Sequence, residues 1–421
     1  MASPLNALQM KASNSCKIQE MIDLENDFLA KLARLTEPAG LYIHIPFCIR
    51  KCPYCDFYSL ADLSLKNAFT EALAQEMRFY AGQGVSVDTL YIGGGTPSVL
   101  NPGEIECILT QVQRCFNVLP DVELTLEVNP GAVSAGSLSD YRRCGVNRIN
   151  IGVQSFQNRV LGFLERIHSA EDAADSIRRA RRAGFSNIGL DLIYGVPGQT
   201  EASWLSDLEA AVSFRPEHLS CYMLSYEKGT PLERSLRQGR FKPLPEERVA
   251  GLYLKTTEWL AQNGYIQYEV SNFARSGQGG AGYRSRHNQK YWSFAPYLGL
   301  GPSAHSFLEP VRFWNPRSVQ SYVGRLNAGK LAIEDKETLT VEQQLMETVL
   351  LGLRTIAGIC MDRFHEKFKL NFLEMFQAVL PELEEAGLLK MEKNRCFLTR
   401  HGMLLLDSIV DRLIRAGLEK V

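Results

Sequence analysis

The stretch "FCIRKCPYCDFYS" (residues 47–59) sets Cys48, Cys52 and Cys55 within eight residues and places Phe57 where one more cysteine would continue the run. Three thiolates spaced C-x3-C-x2-C on a tight loop can reach three corners of one small iron–sulfur cluster, and thiolate sulfur is the ligand such centres take. Structural zinc instead wants four protein ligands in closed tetrahedral geometry. Here the nearby fourth position is Phe57, and His44 lies on the preceding apolar run. A cubane held by three cysteines leaves one iron open for another ligand. The other cysteines (Cys16, Cys107, Cys115, Cys144, Cys221, Cys360 and Cys396) are scattered along the chain.

Outward from this loop, short β-rich runs recur: "LYIHI" (41–45), "TLYIGG" (89–94), "ELTLEV" (123–128), "RINIGV" (148–153), "IGLDLI" (188–193) and "LSCYML" (219–224). Between them lie helix-like stretches such as 65–81, 170–184 and 201–214. Strands alternating with helices imply parallel pairing through right-handed crossovers, and apolar strands imply a sheet covered by helices. The fold class is therefore α/β. Six units are too few for the usual eight-stranded barrel, so a partial (βα)6 barrel or an open curved sheet is expected. Each run ends in small or polar groups: the cysteines, "GGGTP" (93–97), Glu127 with Asn129, Gln154 with Ser155, Asp191 before "YGVPGQT", and Ser225 with Glu227. Loops at the carboxyl ends of parallel strands build active sites, so these positions are expected on one rim.

The chain has 421 residues, and Lys plus Arg (46) balance Asp plus Glu (47). That balance gives no electrostatic reason to expect a nucleic-acid partner. The first forty residues lack the apolar core of a secretory signal and carry acidic residues unlike those of a transit peptide. No apolar run is long enough to span a bilayer. Ten cysteines without an export signal point to a reducing cytoplasm. Four regions are expected: an N-terminal extension over 1–37, with one amphipathic helix in "IDLENDFLAKLARL"; the barrel over 38–275; a linker region over 276–335; and a smaller helix-rich domain over 336–421. In the last, "TVEQQLMETVLLGLRTIAG" (340–358) opens with a Thr–x–x–Gln capping box. "LLKMEKNRCFLT" reads as a hairpin between further helices, a winged-helix-like arrangement read as a packing module. "YIGGGTPS" is not a P-loop, since no Gly–Lys–Ser/Thr follows, and its glycines allow close backbone approach to a ligand. The G-x-G-x-x-A of "YLGLGPSAHSF" (297–307) opens no clear βαβ unit.

"YIHIPFCIRKCPYCDF" resembles the signature of radical S-adenosylmethionine (SAM) enzymes, and more narrowly the family of oxygen-independent coproporphyrinogen III oxidase and the HemW-type heme chaperones. The resemblance runs from about residue 38 to the C-terminus. It implies a [4Fe-4S] cluster on Cys48, Cys52 and Cys55 whose open iron chelates SAM, and whose reduction splits SAM to a 5′-deoxyadenosyl radical. By the same resemblance, SAM would meet Tyr42, Tyr54, Gly94, Gly95, Thr96, Glu127, Gln154, Arg166, Asp191 and Ser225. "HNQKYW" (287–292) is similar to the H-N-x-x-Y-W motif of the chaperones. This implies His287 as the ligand of heme iron, with Asn288, Tyr291 and Trp292 in contact with heme. Arg284, Arg286 and Lys290 could pair with propionates, and the glycine-rich "ARSGQGGAGY" before them could open for a planar ligand. The oxidases carry a cysteine where this chain has Phe57, so heme carriage is expected and coproporphyrinogen decarboxylation is the alternative. An RNA- or protein-modifying radical SAM enzyme is a third reading. The implied partners are heme, heme-accepting proteins such as respiratory enzymes, and an electron donor for the cluster. Peripheral membrane association and a homodimer stay open.

Overall fold

The computed structural model describes residues 23–277 and 282–418. All six expected strands form: β1 (Ala39–Ile45), β2 (Ser86–Gly94), β3 (Asn117–Val128), β4 (Arg148–Gln154), β5 (Ile188–Tyr194) and β6 (His218–Met223). Each pairs in parallel with its neighbours in that order. Six of the seven β1 residues are buried, as a strand covered on both faces requires. The helices between them cover the outer face. Phe69, Leu73 and Met77 recur at helical spacing on helix Lys66–Tyr80 and are buried. The helix Ala170–Arg182 starts at a capping box, where Ser169 Oγ accepts from Asp172 N at 3.1 Å and Asp172 Oδ2 accepts from Ser169 N at 2.9 Å.

The sheet does not stop at six strands. Beyond β6 it continues antiparallel through β8 (Asn272–Arg275) to β7 (Tyr265–Gln267). On the other side β9 (Tyr297–Leu300) pairs in parallel with β1, followed by the antiparallel β10 (His305–Leu308), β11 (Val311–Trp314) and β12 (Asp335–Thr338). The stretch expected as a linker thus supplies three strands of the same sheet, and "YLGL" is a strand on the edge of β1. Glu76 ties this side down. Its carboxylate accepts from Tyr322 Oη at 2.6 Å, Gly301 N at 2.9 Å and Asn315 Nδ2 at 2.7 Å, all buried.

The helix expected in the N-terminal extension is present over 23–32. Its Phe28 is buried, edge-on to Phe313 with ring centroids 4.6 Å apart. After β12, helix Val341–Arg354 opens at the expected box: Thr340 Oγ1 accepts from Gln343 N at 3.2 Å, and Gln343 Oε1 accepts from Thr340 N at 2.8 Å. The hairpin is β14 (Leu389–Glu392) with β15 (Arg395–Leu398), joined by Lys393 and Asn394, both at positive φ as a two-residue turn demands. A short strand β13 (Ile359–Cys360) completes this second sheet. "FLEMFQAVLPELEEAGLL" forms two short helices, Phe372–Met375 and Leu380–Glu385. Pro381 starts the second, where its missing N–H is harmless.

Candidate functional site

A cavity of about 610 Å³ lies at the carboxyl ends of β1–β6 and runs down into the barrel. The three thiols line it. Their loop is pinned to the sheet from both sides: Cys48 N donates to Leu60 O at 2.9 Å, while Gly95 N and Thr96 N donate to Ile45 O (2.8 Å) and Phe47 O (2.7 Å). Two glycines make that docking feasible. Gly94 sits at φ +108°, and a Cβ on Gly95 would stand 2.5 Å from Phe47 O. The close approach foreseen for these glycines is therefore first an approach to the thiol loop itself. Thr96 Oγ1 lies 3.5 Å from Cys48 Sγ, and Arg166 Nη1 lies 3.2 Å from Cys52 Sγ and 3.3 Å from Tyr54 Oη. A hydroxyl and a guanidinium thus face the thiols. Among the described residues, no three His, Cys, Asp or Glu side chains are grouped around a single-ion site.

Of the residues assigned to SAM by resemblance, Tyr54, Gly94, Gly95, Thr96, Glu127, Gln154, Arg166, Asp191 and Ser225 all line this one cavity. Tyr42 does not. It points into the barrel, where its hydroxyl meets His44 Nδ1 at 3.0 Å. Several lining groups carry unmet hydrogen-bonding capacity: Gln154 Oε1, Asp191 Oδ1 and Arg166 Nε are buried without a partner among the described residues. Gln154 also holds φ +68°, a left-handed conformation uncommon outside glycine. Buried polar atoms without partners cost free energy unless a ligand meets them, and strained residues gather at such sites.

The charges are arranged to match. Glu127 accepts from Tyr91 Oη at 2.7 Å and from Gly94 N at 3.3 Å. Burial pushes its carboxyl up to about 7, partly opposed by the Tyr91 hydrogen bond. Asp191 is likewise raised by burial, and Asn150 donates to it at 2.6 Å. Two buried acids beside each other favour a cationic occupant.

Sequence reasoning missed the deeper wall. Arg148, Asn150 and Gly152 occupy alternate positions of β4 before the foreseen Gln154 and all line the cavity, as do His218 and Ser220 of β6. The signal was the period-2 polarity of "RINIGVQ" inside an otherwise apolar strand. His218 is one of these; its Nε2 meets Tyr268 Oη at 2.7 Å.

The motif helix Arg286–Trp292 lies across the amino-terminal half of β1–β3 and floors the barrel. Glu123 of β3 accepts from Arg286 N and His287 N, both at 3.1 Å. Lys290 pairs with Asp88 at 2.9 Å, and Arg286 lies 3.7 Å from the same carboxylate. Asn288 reaches the cavity; His287, Tyr291 and Trp292 do not. His287 is 1% exposed and stacks on Tyr91 at 5.2 Å between ring centroids. Its Nδ1 meets Thr89 Oγ1 and its Nε2 meets Tyr291 Oη, each at 2.9 Å. Burial holds its pKa down to about 3, so the ring is neutral with both nitrogens engaged. In this conformation it has no lone pair to offer a metal. The face of Trp292 is covered by Arg354, 4.4 Å from the ring centroid. Arg284 likewise lies over Tyr268, so the cations foreseen for propionates are committed elsewhere. The glycine-rich segment before the helix falls partly outside the described residues.

Comparison with known proteins agrees with this architecture. Residues 42–211 match the radical SAM superfamily, and residues 339–405 match the HemN C-terminal domain. The heme chaperone HemW of Bacillus subtilis is 36% identical over 369 residues, covering 86% of this chain and 96% of that protein. The chain belongs to the HemW family. The Escherichia coli HemW is 33% identical, covering 89% of this chain and 97% of its own length. The solved coproporphyrinogen III oxidase (HemN) of Escherichia coli superposes with a TM-score of 0.78 at 25% identity, covering 92% of each chain. Among the described residues, no helix is long and apolar enough to cross a membrane.

Proposed function

We propose that this HemW-family chain carries heme to acceptor proteins in the cytoplasm, while holding a [4Fe-4S] cluster and SAM in its rim cavity. The observation that carries the reading is the meeting, in one cavity, of three loop thiols with buried acids and polar atoms that lack partners among the described residues. These residues fit the implied groups. Cys48, Cys52 and Cys55 would hold the cluster, which supplies a one-electron centre with an open coordination site. Glu127 and Asp191 offer carboxylates to a cationic cofactor with hydroxyls, and Gln154, Arg166 and Ser225 supply further polar contacts. Arg166 also donates to Gly152 O at 2.9 Å, fixing the thiol loop against β4.

The chaperone reading is favoured over coproporphyrinogen decarboxylation by relatives of that name at 33–36% identity over nearly their whole length, against 25% for the oxidase. Phe57, where the oxidases carry a further cysteine, points to the same side. His287 would ligate heme iron only in a second state, with the motif helix released from Thr89 and from its own Tyr291. Heme-accepting respiratory enzymes and an electron donor are the partners this reading requires.

The test is a heme titration of anaerobically reconstituted protein, followed through the Soret band, beside an incubation of reduced protein with SAM and coproporphyrinogen III. Saturable heme binding without protoporphyrinogen is expected. Decarboxylated product would restore the oxidase reading, and the lack of saturable binding would refute heme carriage.

A further inference from the structure

Exposed large apolar side chains need a reason when they gather at a cavity. Phe57 (66% exposed), Met223 (55%) and Tyr222 (39%) all line the rim cavity. Ile49 (53%) stands on the same thiol loop. Phe57 lines the opening from the thiol loop, Tyr222 and Met223 from the end of β6. The cavity between them is lined by acids, amides and a guanidinium together with the buried Val128, Ile193 and Leu224, so the exposed apolar groups are those of the mouth.

The cations at this mouth are unequal. Arg50 is paired with Glu165, and Arg317 lies 3.5 Å from Asp56. Lys51, which also lines the cavity, donates its ammonium to Phe57 O at 2.9 Å and has no acidic partner among the described residues. An ammonium without a counter-ion thus stands next to the most exposed aromatic ring of the rim.

We infer that the mouth of the cavity is a docking face for a flat apolar macrocycle with carboxylates on one edge. In the reading proposed above, on which this inference rests, that ligand is heme. Ring faces of Phe57 and Tyr222 and the thioether arm of Met223 supply apolar contact to a conjugated disc. Lys51 supplies a cation for a carboxylate at its edge. The face is available in the conformation seen here, whereas His287 is 1% exposed with both nitrogens bonded. The macrocycle would lie over the cofactor cavity without displacing the motif helix.

The experiment is a Soret titration of the reconstituted full-length protein against Met223→Asp, Phe57→Asp, Lys51→Glu and His287→Ala, with iron content and oligomeric state measured on each. A carboxylate set against an apolar contact is costly. Met223→Asp and Phe57→Asp are therefore expected to weaken heme binding by about ten-fold or more, roughly 1.4 kcal/mol, with iron content kept. Lys51→Glu should weaken binding of heme but not of its dimethyl ester. Unchanged affinity in both Asp variants, with affinity lost in His287→Ala, would place heme at the motif helix and overturn this inference while leaving heme carriage intact. Loss of a dimer with heme affinity unchanged would overturn it too, making the mouth an interface between copies. If the wild type itself shows no saturable binding, the functional reading fails first.

Discussion

The barrel has two ends that differ in how completely their polar groups are satisfied. At the carboxyl rim, Gln154 Oε1, Asp191 Oδ1 and Arg166 Nε are buried without partners among the described residues. At the floor, the motif helix is tied to β2 and β3 by Glu123, Asp88 and Thr89, and both nitrogens of His287 are bonded. The ring of His287 on the floor is thus satisfied while these rim groups are not, although Trp292 Nε1 of the motif helix is also buried without a partner among the described residues. A sequence motif marks position along the chain; only the hydrogen-bond account separates a binding group from a scaffold group.

The largest effect is expected at the floor. His287→Ala would leave Thr89 Oγ1 and Tyr291 Oη unpaired and open a void beside Tyr91. Stability should fall by ~2–4 kcal/mol, read as a lower thermal midpoint of the cluster-free protein. An unchanged midpoint would mean that the floor is looser than its bonds indicate.

The rim should respond the other way. Glu127→Gln is expected to cost ~1.5–3 kcal/mol of SAM affinity, about ten- to a hundred-fold, with little loss of stability. Its pH dependence sharpens the contrast. Burial raises the Glu127 carboxyl to about 7, above its ordinary range. Its contribution to cluster-free stability is thus fully present below that ordinary range and is lost as pH rises through about 7. Over the same upper window the carboxylate forms, so affinity for the cationic cofactor should rise from pH 6 to 8. Calorimetry at several pH values should show both slopes in the wild type and neither in Glu127→Gln.

The barrel was legible because its six central strands are apolar, evenly spaced and separated by strong helix patterns. The outer strands were not. β9, β10, β11 and β12 have four residues each, too few for a periodic signal, and their place follows from pairing across the sheet. At the rim, residues that follow a strand were readable as a set, but Arg148, Asn150 and His218 sit within strands and were hidden by their apolar neighbours. Tyr42 shares β1 with the approach to the thiol loop yet faces the floor, where it lies 6.4 Å from the His287 ring. His287 shows the opposite case: the motif was plain, but its burial depends on β2 and β3, distant in sequence.

The smallest effect lies away from both ends. Thr340→Ala removes one side of the capping box at helix Val341–Arg354 and should lower stability by ~1 kcal/mol, with SAM and heme affinities unchanged. A change in either affinity would show that the C-terminal domain is coupled to the barrel floor, through the contact of Arg354 with Trp292.

The central claim is that the rim thiols hold a redox cluster. It is tested most directly by iron and sulfide content, with the visible absorption spectrum, of anaerobically reconstituted wild type and Cys52→Ala. One [4Fe-4S] cluster per wild-type chain, lost in Cys52→Ala, is the expected result. A cluster of undiminished content in the variant, or zinc in place of iron in the wild type, would contradict it.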